Sequence, residues 1–336
     1  MKDNKLPISD FNQIIKLINN ARNAAFRAVN KELVLLHWNI GEVIFNKVNS
    51  GVWGEQIVEN LAVFLKQEHP NLKGFSKRSL HRMKQFYETY YKNEKVSAVL
   101  TDLSWSNHLI ILSKCKTIEE KYFYILLSIK NHLSFRDLKR QIESSTFERE
   151  MLSNQIVSTP LTQLHKSTNN VFKDTYVFEF LNLPINFSEK DLQNQIVSNL
   201  KNFLLEIGNG FSFIGQEYRV QVGLHDYYID LLFFHRELQC LVAFELKTTE
   251  FKPEYLGKLN FYLEALDTNV KMPNEKPSIG ILLCKGKDKE VVEFALRRNI
   301  SPTLIADYET RLIDKKILQQ KLHELYSFFD KKQEEK

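Results

Sequence analysis

The apolar residues of this chain change their spacing once, and that change constrains the fold more than any other feature. Between residues 10 and 146 they recur every three or four positions, which predicts an all-helical domain. From residue 187 to residue 330, short apolar runs alternate with helical segments in the order α-β-β-β-α-β-α-β-α. That order predicts an α/β domain in which helices flank a sheet that begins as an antiparallel meander. Residues 147–186 lose both spacings and collect Ser, Thr and Asn, so we expect a linker there.

The predicted elements follow from these spacings and from cap residues. The helices of the first domain are predicted at about 10–48, 54–68, 76–92, 104–114, 117–131 and 134–146, with a break near Gly41 as one alternative. In the second domain, helices are predicted at about 188–208, 253–267, 288–298 and 313–330, and strands at about 211–222, 226–235, 239–247, 278–284 and 302–308.

Composition excludes several classes of protein. No apolar run reaches the roughly 18 residues that a membrane span requires, and the first residues lack the apolar segment of a signal peptide. The three cysteines lie far apart, which fits neither a disulfide framework nor a metal site with regular spacing. We therefore expect a cytoplasmic protein with no membrane partner.

Charge is distributed unevenly along the chain. Residues 1–150 hold 23 Lys and Arg against 16 Asp and Glu, a net +7, whereas residues 151–336 hold 23 against 25, a net −2. A basic first half is consistent with a polyanionic partner such as nucleic acid. Ordinary variation of surface charge is the alternative.

The segment 227–247, YYIDLLFFHRELQCLVAFELK, reads as two apolar strands joined by a short polar turn. If the turn is centred between Glu237 and Leu238, Asp230 lies directly opposite Glu245. Opposed carboxylates repel unless a cation lies between them, and Mg²⁺ suits such oxygen ligands. Lys247 projects from the same face as Glu245, where its ammonium can orient a water or stabilise a phosphorane-like transition state.

Two alternatives to this site remain open. The charges can be scattered on the surface of an edge hairpin, and a register slip of one residue would turn one carboxylate to the other face.

These residues resemble the D…(D/E)xK signature of the PD-(D/E)xK nuclease superfamily, with "IDLLFFH" preceding "FELK". The longer stretch from "FLLEIGNGF" to "NFYLEALD" resembles the YhcG-type nuclease domain, and the helical segment resembles the N-terminal domain of the same family. The resemblance covers about residues 10–325. It implies a restriction-endonuclease-like α-β-β-β-α-β core in a metal-dependent endonuclease that hydrolyses phosphodiester bonds, with DNA as the first choice of substrate and bacterial defence as the expected role.

The resemblance also assigns roles to residues of this chain. Asp230, Glu245 and the backbone carbonyl of Leu246 would hold Mg²⁺, or Mn²⁺ in its place, and Lys247 would assist the attacking water. Asp230, Glu245 and Lys247 are therefore the expected catalytic residues.

Two positions depart from the expected family pattern. Gln193 stands on the first core helix where an acidic residue is expected, and Glu189, one turn earlier, or Glu206 is a candidate substitute. Lys258 stands where glutamine is expected, on the same helix face as Tyr262, and both side chains can contact phosphate. These departures motivate an alternative function, a catalytically weakened or inactive nuclease fold that binds nucleic acid or a partner.

The helical half contains two candidate nucleic-acid-binding units. Residues 53–93 read as helix, glycine-containing turn and helix, with Ser76 as the N-cap of the second helix. Its polar face carries basic and amide side chains in a layout typical of a helix-turn-helix recognition helix, namely Lys77, Arg78, His81, Arg82 and Gln85. A second unit after Ser134 presents Arg136, Lys139 and Arg140. Amphipathic surface helices without a nucleic-acid partner are the alternative in both cases.

Two further expectations concern the same half. The His37–Trp38 and Trp105–His108 pairs lie on apolar-patterned helices and are expected to be packing positions. The long first helix offers an interface for self-association, so a homo-oligomer is also considered.

Overall fold

The computed structural model describes residues 8–153, 155–164 and 171–334. The chain separates into two compact units, one ending at Ile142 and one beginning at Glu143. In the described residues no helix has the length and the apolar content to cross a membrane.

The first unit is helical, as the spacing of its apolar residues predicts. Its helices are α1 (Ile8–Asn49), α2 (Glu55–Glu68), α3 (Lys77–Tyr90), α4 (Glu94–Ser97), α5 (Trp105–Lys114), α6 (Ile118–Asn131) and α7 (Phe135–Glu143), with a 3₁₀ turn at Leu100–Asp102. Side chains of Ser, Thr and Asn cap these helices by accepting backbone N–H groups, as at Ser76, Ser104 and Thr117. The caps explain why the predicted starts of α3, α5 and α6 lie within one residue of the observed ones.

The alternative of a break in α1 near Gly41 is wrong, because α1 is continuous over 42 residues. A Cβ atom at Gly41 would lie 2.1 Å from the carbonyl oxygen of Met83 in α3. Gly41 therefore allows the backbones of α1 and α3 to approach closely, and it marks a helix crossing rather than a helix end.

An aromatic cluster fills the centre of this unit. The Phe86 ring lies 5.7 Å from that of Trp38 and 5.2 Å from that of Trp105. His108 is fully buried, its Nε2 lies 2.8 Å from the carbonyl oxygen of Leu100, and burial lowers its pKa to about 4. The His37 ring lies 4.2 Å from that of Trp105, with the two planes tilted by 47°. These residues are packing positions, as expected from the sequence.

The second unit is built on a six-stranded mixed sheet in the order β1-β6-β5-β4-β3-β2. Its strands are β1 (Thr175–Val177), β2 (Phe211–Val222), β3 (His225–His235), β4 (Cys240–Leu246), β5 (Lys276–Cys284) and β6 (Thr303–Glu309). The pairs β2–β3 and β3–β4 are antiparallel, and the pairs β4–β5, β5–β6 and β6–β1 are parallel. The predicted antiparallel meander is thus confirmed, and the parallel pairs make the sheet a mixed one.

Helices cover both faces of this sheet. They are α8 (Thr146–Leu152), α9 (Thr159–Leu164), α10 (Glu189–Ser198), α11 (Leu200–Ile207), α12 (Tyr255–Asn269), α13 (Lys289–Arg297) and α14 (Lys315–Glu334). One apolar core includes Leu192 of α10 and Phe203 of α11, and the other includes Leu259 and Leu263 of α12. β4 is buried at every position because both faces are covered.

The described residues of the segment expected to be a linker, 147–186, instead pack in the second unit. β1 pairs with β6, and Phe172, Tyr176 and Phe178 are buried in the core. Buried Arg149 donates to Glu206 Oε1 at 2.9 Å, which ties α8 to α11. The linker prediction was wrong because this segment has little periodicity of apolar residues. Its edge strand β1 is only three residues long, and α8 is held to the core by an ion pair.

Candidate active site

The site lies at the middle of β3, where its pairing with β4 begins, and at the end of β4. Paired residues of β3 and β4, from Leu231–Phe244 to His235–Cys240, have numbers that sum to 475. This is the predicted register, and it brings Asp230 and Glu245 to the same end of the hairpin. The alternative of a one-residue slip is therefore wrong.

Asp230 is held by the backbone of the neighbouring strand. Its Oδ2 accepts a hydrogen bond from the backbone N–H of Leu246 at 2.8 Å. Burial and the nearby charge of Glu245 raise the pKa of Asp230 to about 6, although the Leu246 N–H, Lys258 and Lys247 act in the opposite direction. The carboxylate is thus costly to ionise in this setting, as expected of a group placed for function rather than stability.

Glu245 is buried and paired with two lysines. Its Oε1 lies 2.9 Å from Lys247 Nζ and 2.6 Å from Lys258 Nζ. Its Oε2 is also buried, yet it has no hydrogen-bond partner in the structure. A buried carboxylate oxygen without a partner is energetically unfavourable, so Oε2 is an open coordination position for a cation.

Lys247 occupies the centre of the polar cluster. Besides Glu245, its Nζ donates to Glu189 Oε2 at 3.0 Å and to the carbonyl oxygen of Leu246 at 3.1 Å. Burial by itself would lower the pKa of Lys247, but the hydrogen bonds and charges of Glu245 and Glu189 raise it above its ordinary value. Lys247 is therefore a cation at neutral pH.

Lys258 and Tyr262 share one face of α12, as predicted from their spacing. Lys258 Nζ lies 5.3 Å from the centroid of the Tyr262 ring, and it also forms the ion pair with Glu245 Oε1. Burial raises the pKa of Tyr262, so its hydroxyl stays protonated and can donate to an anion. The Lys258 side chain is 46% exposed, which leaves its ammonium within reach of solvent and of a bound phosphate.

Gln193 lies beside the site, but it contacts backbone rather than a carboxylate. Its side-chain amide donates to the backbone carbonyl of Asp230 at 2.6 Å. Of the two candidate substitutes for an acid at this position, Glu189 lies in the site through its bond to Lys247. Glu206 does not, because it is buried in the ion pair with Arg149 and accepts from the Val177 N–H at 3.0 Å.

The donor set is compatible with a divalent cation that uses few protein ligands. The described residues contain no group of three His, Cys, Asp or Glu side chains placed to bind a metal. They do bring together Asp230, the unpartnered Oε2 of Glu245 and the carbonyl oxygen of Leu246. Mg²⁺ binds in this manner, through one or two carboxylates with water and substrate phosphate completing the shell.

Tyr308 and Tyr255 were not identified from the sequence. The Tyr308 hydroxyl donates to the backbone carbonyl of Lys247 at 3.1 Å, and Lys247 Nζ lies 5.4 Å from the centroid of the Tyr255 ring. Both orient Lys247. Tyr308 comes from β6, 61 residues further along the chain, and no local pattern could have linked it to the site.

The predicted nucleic-acid-binding residues of α3 lie on the polar side of that helix. The apolar stripe of α3 is buried as predicted, comprising Leu80, Met83, Phe86, Tyr87 and Tyr90. Lys77, Arg78 and Gln85 are exposed, and His81 and Arg82 are half-buried. Lys77 pairs with Glu59 of α2 at 2.6 Å, so its charge is partly compensated.

The second predicted unit corresponds to α7. Ser134 Oγ accepts from the Asp137 N–H at 3.3 Å and donates to its carboxylate, which caps the helix as expected. Arg136 and Lys139 are exposed, and Arg140 is half-buried.

Two domain matches cover most of the chain. Residues 169–323 match the YhcG PDDEXK nuclease domain, and residues 13–149 match the DUF1016 N-terminal domain. The chain belongs to the YhcG-type family of PD-(D/E)xK nuclease-domain proteins. It is 28% identical over 346 aligned positions to "Putative nuclease YhcG" of Escherichia coli (strain K12), and the alignment covers 92% of each chain. The family resemblance expected from the sequence, and its restriction-endonuclease-like fold, are confirmed.

Solved structures give weaker likenesses. A repair endonuclease from Pyrococcus abyssi is 16% identical with a TM-score of 0.26, and EndoMS in complex with double-stranded DNA is 18% identical with a TM-score of 0.28. Each match covers 38% of this chain and spans about half, 47%, of the solved chain. The fold assignment therefore depends on the strand order and on the domain match.

Proposed function

We propose that this protein is a Mg²⁺-dependent endonuclease that hydrolyses phosphodiester bonds of DNA. One observation carries the proposal, namely that Asp230, Glu245 and Lys247 meet at the end of the β3–β4 hairpin while Oε2 of Glu245 lacks a partner. The nuclease domain to which these residues belong supports the same reaction class.

Asp230, Glu245 and the Leu246 carbonyl would hold the cation. When bound, Mg²⁺ would supply a Lewis acid that polarises a phosphoryl oxygen and makes a bound water more acidic. Mn²⁺ has similar oxygen preferences and is expected to substitute. Asp230, with a pKa of about 6, is ionised and ready to bind a cation at neutral and higher pH.

The raised pKa of Lys247 restricts its role. Glu189 and Glu245 hold Lys247 as an ammonium in this arrangement, and an ammonium cannot accept a proton from water. Its ammonium, fixed by Glu189 and Glu245, instead orients the attacking water and stabilises negative charge that develops on the phosphate. Lys258 and Tyr262 supply further contacts to phosphate from α12.

The test is cleavage of supercoiled plasmid and of single-stranded DNA and RNA with and without Mg²⁺. Wild-type protein should nick or linearise DNA only with the metal, and Asp230→Ala, Glu245→Gln and Lys247→Ala should lose this activity. Lys190→Ala is a matched control, since Lys190 is an exposed lysine of α10 that pairs with Glu217 of β2. Equal cleavage by wild type and Asp230→Ala would overturn the assignment.

The two lysines that pair with Glu245 favour a second candidate function, namely binding of nucleic acid without cleavage. Two ammonium groups already compensate the charge of Glu245, so the fold can be stable without a metal and bind nucleic acid without cutting it. This candidate predicts salt-sensitive binding without metal-dependent turnover. Calorimetry helps to separate the two, because a tight Mg²⁺ or Mn²⁺ site lost in Glu245→Ala would count heavily against the non-catalytic alternative.

We further propose that the first unit binds DNA through its helix-turn-helix-like face. Support comes from the basic charge of this half and from the exposure of Arg78, Gln85, Arg136 and Lys139. Arg78→Glu should weaken DNA binding and reduce its salt dependence, whereas Lys73→Glu, a surface change outside α3, should have a smaller effect. An unchanged dissociation constant and salt slope for Arg78→Glu would count against this surface. A cytoplasmic location and a defence role stay predictions.

A further inference from the structure

The first helix extends well beyond the helical unit to which it belongs. From Ile14 to Val29 every residue of α1 is exposed, and burial against the rest of the unit begins only near Asn30. An isolated helical segment of this length is marginal in water, because most helix stability in proteins comes from packing an apolar face. The projecting half of α1 therefore lacks the contacts that would stabilise it within one chain.

The same helix carries an apolar seam that its own unit leaves largely uncovered, although Ile40 at one end is partly buried. The face packed inside the unit includes Val34, Gly41 and Ile44. The seam lies on an adjacent face and consists of Ile15, Ile18, Phe26, Val29, Leu33, Leu36, Ile40 and Val43. Successive members are three or four residues apart, except between Ile18 and Phe26, where Arg22 occupies the intervening position. From Phe26 to Val43 these residues follow the a and d positions of three consecutive heptads, the repeat typical of coiled coils.

The seam leads directly into an apolar groove. Ile40 and Val43 at the end of the seam form one wall of a groove between α1 and α2, with a volume of about 460 Å³. The other walls are almost entirely apolar and include Trp53, Leu61 and Leu65. The seam therefore has a projecting apolar helix end on one side and an open apolar groove on the other.

We propose that this surface pairs two copies of the chain through antiparallel α1 helices. In an antiparallel arrangement centred near Val29, Ile15 and Ile18 of each copy lie alongside Ile40 and Val43 of the other. Each copy then fills the groove of its partner with its projecting helix end, which gives the self-complementary contact of a two-fold dimer.

Area and charge both favour a second copy as the occupant. Seven seam residues are each between 41% and 67% exposed, so one copy offers on the order of 700 Å² of largely apolar surface, close to the roughly 800 Å² per partner of a standard interface. Between residues 23 and 46 the positions beside the heptad seam are uncharged except for Glu32. Lys16 and Arg22 are the charged residues near its other end, and in the antiparallel arrangement Arg22 would face Leu36 of the second copy rather than another cation. Two copies can therefore meet without opposed rows of like charge.

The oligomeric state of the full chain tests the proposal. Wild-type protein at micromolar concentration should have twice the monomer mass by light scattering, and the Val29→Glu, Leu36→Glu double variant should be monomeric. Both side chains are exposed, and glutamate favours helix more than valine does, so this variant should keep its fold. Ala28→Glu is the matched control, exposed on the same helix but outside the seam, and it should remain dimeric.

The arrangement has its own test by cross-linking. Because the three native cysteines are buried, an Ile15→Cys, Val43→Cys variant should form a disulfide-linked dimer on mild oxidation, and each single variant should do so far less. A monomeric wild type, or a double variant with Glu that remains dimeric, would overturn the proposal. Efficient cross-linking of Ile15→Cys alone would overturn the antiparallel arrangement.

Discussion

Replacing Asp230 by asparagine should make the metal-free protein more stable. The pKa of this carboxyl is raised from 3.8 to about 6 by burial and by Glu245, so ionising it in the folded state is costly. That difference corresponds to roughly 3 kcal/mol at about 1.4 kcal/mol per pKa unit. Since Asp230 is only half-buried and solvent screens part of the effect, the expected gain for Asp230→Asn at pH 8 is about 1–2 kcal/mol. Asparagine can still accept the Leu246 N–H hydrogen bond.

The sign of the pH dependence follows from the direction of the pKa change. The folded-state pKa lies above that of the unfolded chain, so the cost of Asp230 is fully present above about pH 6 and is lost as the pH falls towards about 4. The stability difference between Asp230→Asn and wild type should therefore be largest at pH 8 and should shrink by pH 5.

Chemical denaturation in the presence of a chelator measures this difference. The three tryptophans, at positions 38, 53 and 105, all belong to the first unit, so their fluorescence reports that unit alone. Far-ultraviolet circular dichroism reports the unfolding of both units. The unfolding of the second unit is obtained by subtracting the transition that tryptophan fluorescence assigns to the first. Addition of Mg²⁺ should stabilise wild type by mass action and leave Asp230→Asn nearly unaffected.

Asp226→Asn provides the control on the same strand. Asp226 pairs with Arg219 on the surface at 2.9 Å, and its loss should change stability by no more than about 0.5 kcal/mol. If Asp230→Asn were less stable than wild type at pH 8, or if its advantage did not shrink with falling pH, the electrostatic account of the site would be refuted.

Two further predictions concern charged groups of the second unit. Lys258→Gln should bind Mg²⁺ about tenfold or more tightly by calorimetry, because it removes a cation 2.6 Å from Glu245, and an unchanged affinity would exclude competition between Lys258 and the metal. Glu206→Gln should destabilise this unit by about 3–5 kcal/mol, because it leaves Arg149 buried without its charged partner, and a loss below about 1 kcal/mol in denaturation would contradict that role.

The sequence predicted the hairpin well because its information is local. The apolar runs on either side of the turn at Glu237 determine the register, and the register determines where Asp230 and Glu245 lie. Helix starts were similarly predictable from N-cap residues such as Ser76, whose side chain accepts a hydrogen bond from a backbone N–H of the first turn.

Contacts between distant segments were not predictable in this way. β1 is a three-residue strand at the sheet edge, and its place depends on pairing with β6, which begins more than 120 residues later. A glycine in a helical segment can mark a helix end or a close helix crossing. Only the approach of Met83 shows that Gly41 marks a crossing. Long-range pairing and close packing leave no spacing pattern for a sequence to reveal.

The departures at positions 193 and 258 have linked consequences for the site. Gln193 uses its amide to hold the backbone of Asp230, so the third acid of the cluster is Glu189, and Glu189 is engaged with Lys247. Three carboxylates and two ammonium groups give the cluster a formal charge of −1, one unit more positive than it would be with an uncharged residue in place of Lys258. A less negative cluster attracts a divalent cation less strongly. If the proposed Mg²⁺ site is correct, the combination predicts that occupancy would need a higher Mg²⁺ concentration, and Lys258, once displaced from Glu245, would be available to contact phosphate.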